Sequence, residues 1–186
     1  ILPGWRIEEI AANVAASGLG VTADEFINAA VSPSAELLSI LAIDDLTTLE
    51  GFLFPGIYTL PRESNLETLM TMILKYFNHN IDETIRLGFE RQGFTIVEAV
   101  ILASIVEKEA IVSDEKPLIA SVFFNRLENN MRLETDPTVQ FALGFDRETQ
   151  SWWKSPLSLA DLSTPSEFNT YLNYGLPPGP ICSPDL

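Results

Sequence analysis

TIVEAVILASIVEKE, residues 95–109, is the stretch on which the fold turns. It is long enough for about four helical turns and apolar on nearly every face. A helix that is apolar all round must be covered on all sides, so this segment predicts a buried central helix. On its N-terminal side, Leu66, Leu69, Met70, Ile73, Leu74 and Phe77 form one face of a helix over 66–79, capped by Ser64 or Asn65. A second amphipathic helix over 81–91 closes at Gly93. On its C-terminal side, a helix over about 114–129 opens with Asp114 and Glu115 and carries Leu118, Val122, Phe123 and Leu127. A shorter helix over 136–143 has Pro137 at its first position.

Further out, residues 4–30 read as two short helices. Ile7, Ile10, Ala11 and Val14 keep helical spacing, Gly18 and Gly20 interrupt it, and Thr22 with Glu25 makes a capping box. Residues 34–48 supply one more short helix with its connection. GFLFPGIYTLP, residues 51–61, cannot be a long helix, because Pro55 and Gly56 sit in its middle. It is expected as an extended segment with a turn, packing Phe52, Phe54 and Tyr58 beside the central helix. The expected fold class is therefore α+β: helix-rich, with a small β component. Two domains are expected, a small helical lobe over 1–48 and a larger domain over 49–186. The chain starts at Ile1 and stops just after a Gly/Pro-rich stretch, and is expected to be a piece of a longer protein.

Composition excludes several functions. Acidic residues number 26 against 11 basic, a net charge of −15, and residues 1–61 hold one basic residue, Arg6, against eight acids. Nucleic-acid backbones and anionic membrane surfaces are repelled by such a chain. A single cysteine, Cys182, permits no intrachain disulfide, and a single histidine, His79, excludes His-rich zinc sites. His79 lies in YFNHN and reads as a helix C-terminal residue rather than a catalytic base. No glycine-rich phosphate loop occurs, and no apolar run reaches membrane-spanning length.

Three groups of residues could carry chemistry. At about 100° per residue, Glu109 shares a stripe with Leu102, Ile105 and Val106, and Glu98 lies on the same line. A carboxyl against apolar side chains is costly to ionise, which is how a glycosidase keeps a general acid protonated near neutral pH. Glu107 points the opposite way, among Val100, Ala103 and Ser104, so either glutamate could be the buried one. Both could equally be solvated in the last turn, or paired with Lys108 or Arg126. The second group is FFNRLENNMRLETDPT, 123–138, which places Asn125 and Arg126 close in sequence to Thr135, Asp136 and Thr138. Asp136 before Pro137 is also a plain N-cap signal. The third is FNTYLNYGLPPGPICSP, 168–184, whose Asn169, Thr170, Tyr171 and Tyr174 offer the amides, hydroxyls and rings that sugar recognition uses. A loop built of turn residues explains it as well.

EGFLFPGIY at 50–58, ASIVEKEA at 103–110, ASVFFNRLENNMRLETDPTVQFALG at 120–144, and FNTY at 168–171 followed by LPPGPI at 176–181 occur together in this order. In this the sequence resembles the catalytic domain of the YceG-like endolytic murein transglycosylases, the MltG family. GWRIEEIA and VTADEF, within 4–30, resemble the two helices of a LysM-like element. The resemblance implies that Glu109 is the catalytic glutamate and that Glu50 lines the same cleft. Asn125, Arg126, Asp136, Thr138, Asn169, Thr170 and Tyr171 match the family's other polar positions and are expected to bind substrate. The sequence departs from the family pattern at Gly56, at Phe168 and at the CSPD that follows LPPGPI.

The implied activity is that of a lyase which cuts peptidoglycan strands internally between N-acetylmuramic acid and N-acetylglucosamine, leaving a 1,6-anhydromuramoyl end. One carboxyl suffices: Glu109 protonates the leaving oxygen, then takes the proton of the muramoyl 6-hydroxyl as that oxygen closes on C1. Neither metal nor cofactor is required. The implied partners are glycan strands and peptidoglycan synthases, and the implied location is the outer face of the bacterial cytoplasmic membrane, reached through an anchor outside this chain. Two other classes are carried beside it: a non-catalytic peptidoglycan-binding module, and a hydrolytic muramidase using Glu50 or Asp136 as a second carboxylate.

Overall fold

The computed structural model describes residues 1–43 and 46–185. Among them are eight α-helices and two 3₁₀ turns, and the one β interaction is an isolated antiparallel bridge between Asp146 and Ser151. The α+β expectation is thus corrected to a helix-dominated fold. The reason lies in residues 50–60, which fold as turns and irregular backbone. Their side chains Phe52, Leu53 and Phe54 are buried, but Pro55 lacks the N–H that a ladder would need.

The chain divides into two compact units, residues 1–100 with 182–186, and residues 101–181. The first holds α1 (Ile7–Ala16), α2 (Ala23–Val31), α3 (Ala35–Leu41), α4 (Leu66–Asn80) and α5 (Glu83–Arg91). Local sequence starts each helix. Thr22 and Glu25 form the expected reciprocal cap on α2, and Ser34, Asn65 and Asp82 accept backbone N–H bonds at the starts of α3, α4 and α5. The connection expected after α3 runs through Asp44 and Asp45, which lie outside the described residues.

One apolar cluster fills this unit. It joins Ile7, Ile10 and Val14 of α1, Phe26 of α2 and Leu41 of α3 to Leu49, Phe52, Leu53 and the buried face of α4. Phe77 is its aromatic hub, with ring centroids 5.3 Å from Phe52 and 6.2 Å from Phe54. Residues 182–186 belong here because Ser183 accepts a bond from the Gly4 N–H at 2.8 Å and donates to the Trp5 carbonyl at 2.7 Å.

The division falls within α6 (Ile96–Glu109), between Val100 and Ile101. No residue of α6 is exposed. The second unit continues with a 3₁₀ turn, Ser113–Glu115, leading into α7 (Lys116–Glu128), then α8 (Asp136–Leu143), a second 3₁₀ turn, Asp161–Ser163, and long irregular segments. Its core includes Ile105, Val106, Phe123, Leu133, Val139 and Ile181. The buried Ser104 hydroxyl donates to the Ile101 carbonyl at 2.7 Å and accepts the Ile181 N–H at 3.0 Å.

Replacing Phe77 by Ala removes a fully buried ring from the hub and should cost about 3–5 kcal/mol. Urea unfolding of the variant tests this: an unchanged midpoint would show that the cluster does not hold the first unit together.

Candidate functional site

Glu109 ends α6 and is half-buried. One of its carboxylate oxygens, Oε1, accepts the hydroxyl proton of Thr135. Thr135 is buried and precedes α8 as its N-cap residue. Asp136 is therefore the first residue of that helix rather than its cap, and Pro137 the second. The Asp136 carboxylate turns outward and accepts the Tyr171 hydroxyl at 2.7 Å.

Behind Thr135 lies a closed set of buried threonine hydroxyls. Thr138 donates to the Thr135 carbonyl at 2.8 Å, which commits its single hydroxyl proton. The 2.8 Å bond between the hydroxyls of Thr138 and Thr170 must then run from Thr170 to Thr138. Thr170 Oγ1 in turn accepts the Thr135 N–H at 3.2 Å, and Thr138 Oγ1 also accepts the Thr170 N–H at 3.4 Å.

The other polar residues expected here serve this frame. Arg126 points its guanidinium at the carbonyls of Arg132 and Leu133, at 3.1 and 2.8 Å, and at Glu134, at 3.3 Å. It thereby steadies the segment that leads into Thr135. Within that segment Glu134 takes a left-handed backbone, φ 50°, and its N–H donates to the Thr170 carbonyl at 3.2 Å. Asn169 is fully buried. Its amide donates to the Leu162 and Thr164 carbonyls, and its Oδ1 accepts the Tyr171 N–H at 2.9 Å. It shapes the loop that carries Tyr171 and keeps its polar atoms inside the protein. Asn125 is exposed near the end of α7, where its backbone carbonyl accepts from Asn129.

Electrostatics separate the two candidate glutamates. Glu107 is ion-paired with Lys116 at 2.6 Å, and Arg126 with Glu134 at 3.3 Å. Lys108 stands over the Trp153 ring, 3.8 Å from its centroid. Partial burial pushes the Tyr171 phenol up to about 12, helped by its bond to Asp136 and by the charges of Asp136, Glu109 and Glu134. Three carboxylates thus act on one tyrosine hydroxyl, which stays protonated at physiological pH.

Sequence reasoning placed Thr135 at the start of α8 but not among the residues expected to bind substrate. Only its pairing with a glutamate 26 positions earlier reveals it.

Glu50 belongs to the first unit. Its Oε2 accepts the Ile7 N–H at 3.1 Å at the start of α1, while Oε1 is buried without a hydrogen-bond partner among the described residues. Burial pushes its carboxyl up to about 8, opposed by the Ile7 N–H and the nearby Arg6 guanidinium.

The chain belongs to the YceG-like family, whose model matches residues 1–186. The endolytic murein transglycosylase of Streptococcus pneumoniae (strain D39) is 32% identical over 166 residues, covering 88% of this chain and 30% of the relative. That of Bacillus subtilis (strain 168) is 35% identical over 136 residues, covering 73% of this chain and 36% of the relative. The chain thus spans about a third of the length of the curated relatives it matches. A crystal structure of a YceG-like protein from Listeria monocytogenes matches the fold with a TM-score of 0.85 at 31% identity, over all of this chain and 62% of that one.

Two outcomes follow from the geometry. Thr138→Val keeps the side chain's shape but leaves the Thr170 hydroxyl and N–H and the Thr135 carbonyl unsatisfied inside the protein. It should lower stability by about 1–3 kcal/mol, read from the denaturant midpoint, and a neutral result would show that the threonine set is not a stabilising network.

For Glu50, the unfolded carboxyl titrates near 4.5 and the folded one near 8. Between these values the unfolded chain releases a proton that the folded chain retains, so stability falls as pH rises through this window and levels off above it. Glu50→Gln cannot titrate. Relative to the parent, its melting temperature should rise progressively from about pH 4 to about pH 8. A difference independent of pH would refute the assignment.

Proposed function

We propose that this chain is the catalytic part of an endolytic murein lytic transglycosylase, with Glu109 as its general acid and base. The observation that carries the reading is the setting of Glu109. It stands at the end of a helix with no exposed residue, one oxygen held by a threonine that a buried hydroxyl network fixes in place. Such support holds a carboxyl in one orientation, as repeated proton transfer to and from a bound sugar requires. Relatives named endolytic murein transglycosylase support the same activity.

The proposed substrate is the glycan strand of peptidoglycan. Glu109 protonates the glycosidic oxygen between N-acetylmuramic acid and N-acetylglucosamine, and the bond to C1 breaks. The 2-acetamido group stabilises the resulting cation. Glu109, now a carboxylate, takes the proton from the muramoyl 6-hydroxyl as O6 bonds to C1. The products are a 1,6-anhydromuramoyl end and a free N-acetylglucosaminyl 4-hydroxyl. Protons balance, and no water is consumed. Asp136, Thr138, Thr170 and Tyr171 frame the site, while Arg126 and Asn169 hold its loops. Asn125 and Glu50 remain proposed substrate contacts on the strength of the family resemblance alone. Peptidoglycan synthases are proposed partners, and action outside the cytoplasmic membrane the proposed setting. Among the described residues no helix is long and apolar enough to cross a membrane.

The nearness of Asp136 to the same tyrosine that feels Glu109 favours one second reading, a hydrolytic muramidase with two carboxylates. Product mass separates the two, since an anhydro end is lighter by one water than a hydrolysed end.

Glu109→Gln should abolish release of anhydro-muropeptides from purified peptidoglycan while leaving folding and strand binding near parental levels. Glu107→Gln, which loosens the Lys116 pair, should retain most of the activity. The reverse pattern would move the role to Glu107, full activity in both would remove the mechanism, and a hydrolysed product would select the muramidase.

A further inference from the structure

The first unit carries a groove with no part in the chemistry described above. It lies between α4 and residues 57–59 and has a volume of about 490 Å³, within the range of small-ligand sites. Thr68, Thr71, Lys75 and His79 follow one face of α4 at helical spacing, and the rings of Tyr58 and Tyr76, which also line the groove, meet edge-on at 5.6 Å. Gly56 permits this arrangement. A Cβ there would stand 3.1 Å from the Tyr76 ring and 3.6 Å from the Tyr58 ring, so a side chain would press the pair apart.

The charges in the groove set it apart from the rest of the chain. The protein carries net charge −15, yet the groove presents Lys75 and the only histidine and no carboxylate. Among the described residues Lys75 has no carboxylate partner. An unpaired ammonium beside aromatic rings and hydroxyls suits a short peptide ending in, or bearing, one carboxylate. The rings cover aliphatic side chains, the hydroxyls meet amides, and Lys75 takes the carboxylate. A phosphate-rich polymer would call for several cations.

We infer that this groove binds the carboxylate-bearing stem peptide of peptidoglycan, as a second contact with the substrate remote in sequence from Glu109. The inference rests on the proposed murein substrate and names the part of it that reaches this face. In an acidic protein handling an anionic polymer, one unpaired cation in a shaped groove gives the strand a place to dock against the general repulsion.

The test compares binding and cleavage of peptide-bearing glycan strands with those of strands stripped of peptides by an amidase. The proteins are the parent, Lys75→Glu, Lys75→Gln and His79→Ala. Lys75 and His79 are exposed, so folding should be preserved, and melting curves verify it. The parent should bind peptide-bearing strands more tightly. Lys75→Glu should weaken that binding by about tenfold or more, with a smaller loss in Lys75→Gln, and binding to stripped strands should not change. The inference is overturned if the parent shows no preference for peptide-bearing strands, if Lys75→Glu keeps the parent's preference, or if its loss is confined to a phosphate-bearing wall polymer added in place of the strands. Failure of the proposed activity reads differently: Lys75-dependent binding would persist with no cleavage by the parent.

Discussion

Thr138 has one hydroxyl proton and three buried groups that need its oxygen. Donating the proton to the Thr135 carbonyl orients the bond from Thr170 and leaves the lone pairs for the Thr170 hydroxyl and N–H. Everything at the proposed site is arranged from that point. The Thr170 oxygen is then free to accept the Thr135 N–H, which leaves the Thr135 hydroxyl to meet Glu109. In a buried setting a half-satisfied set of this kind is costly, so the closed set favours one geometry over its alternatives. The consequence reaches the last residue of α6, the start of α8 and the loop that carries Tyr171.

The residues around this set divide by what their polar atoms face. Arg126 and Asn169 have their donors directed at backbone carbonyls, and they hold the 132–134 and 162–171 segments. Asp136 and Tyr171 bond each other at the surface side, where the phenol feels three carboxylates. A family's polar motif thus contains two kinds of residue, those that shape loops and those that present groups. Only the second kind offers atoms to a ligand. Glu50 shows the same ambiguity in the first unit, where its carboxylate meets the Ile7 N–H at the start of a helix 43 residues away in sequence.

Much of the helical framework was legible because its causes are local. Thr22 with Glu25, Asn65 before Leu66 and the apolar face of α4 each act within a few residues. α8 was legible as well, over 136–143, although its cap lies one residue earlier than Asp136 suggested. The β component was not. Phe52, Leu53 and Phe54 look like strand residues, yet they are buried as a turn-rich segment against α4, and neither Pro55 nor its neighbours find a paired strand. Aromatic content signals burial, and burial does not specify a ladder.

By itself the sequence determined the positions of the helices, an α6 without an exposed residue and, through four motifs in order, the family. The helices follow from periodicity and capping, and the family from a resemblance carried by those motifs, all of which are written within short windows. Only the tertiary structure decided which glutamate of EKE meets a threonine and which an ammonium, since Thr135 and Lys116 lie on later segments. It alone turned Asn169 inward, set Thr138 between Thr135 and Thr170, and brought Lys75 and two tyrosine rings to one groove. Hydrogen-bond partners across 26 to 43 residues carry no period. They are selected by which polar groups the packed core brings together and deprives of water.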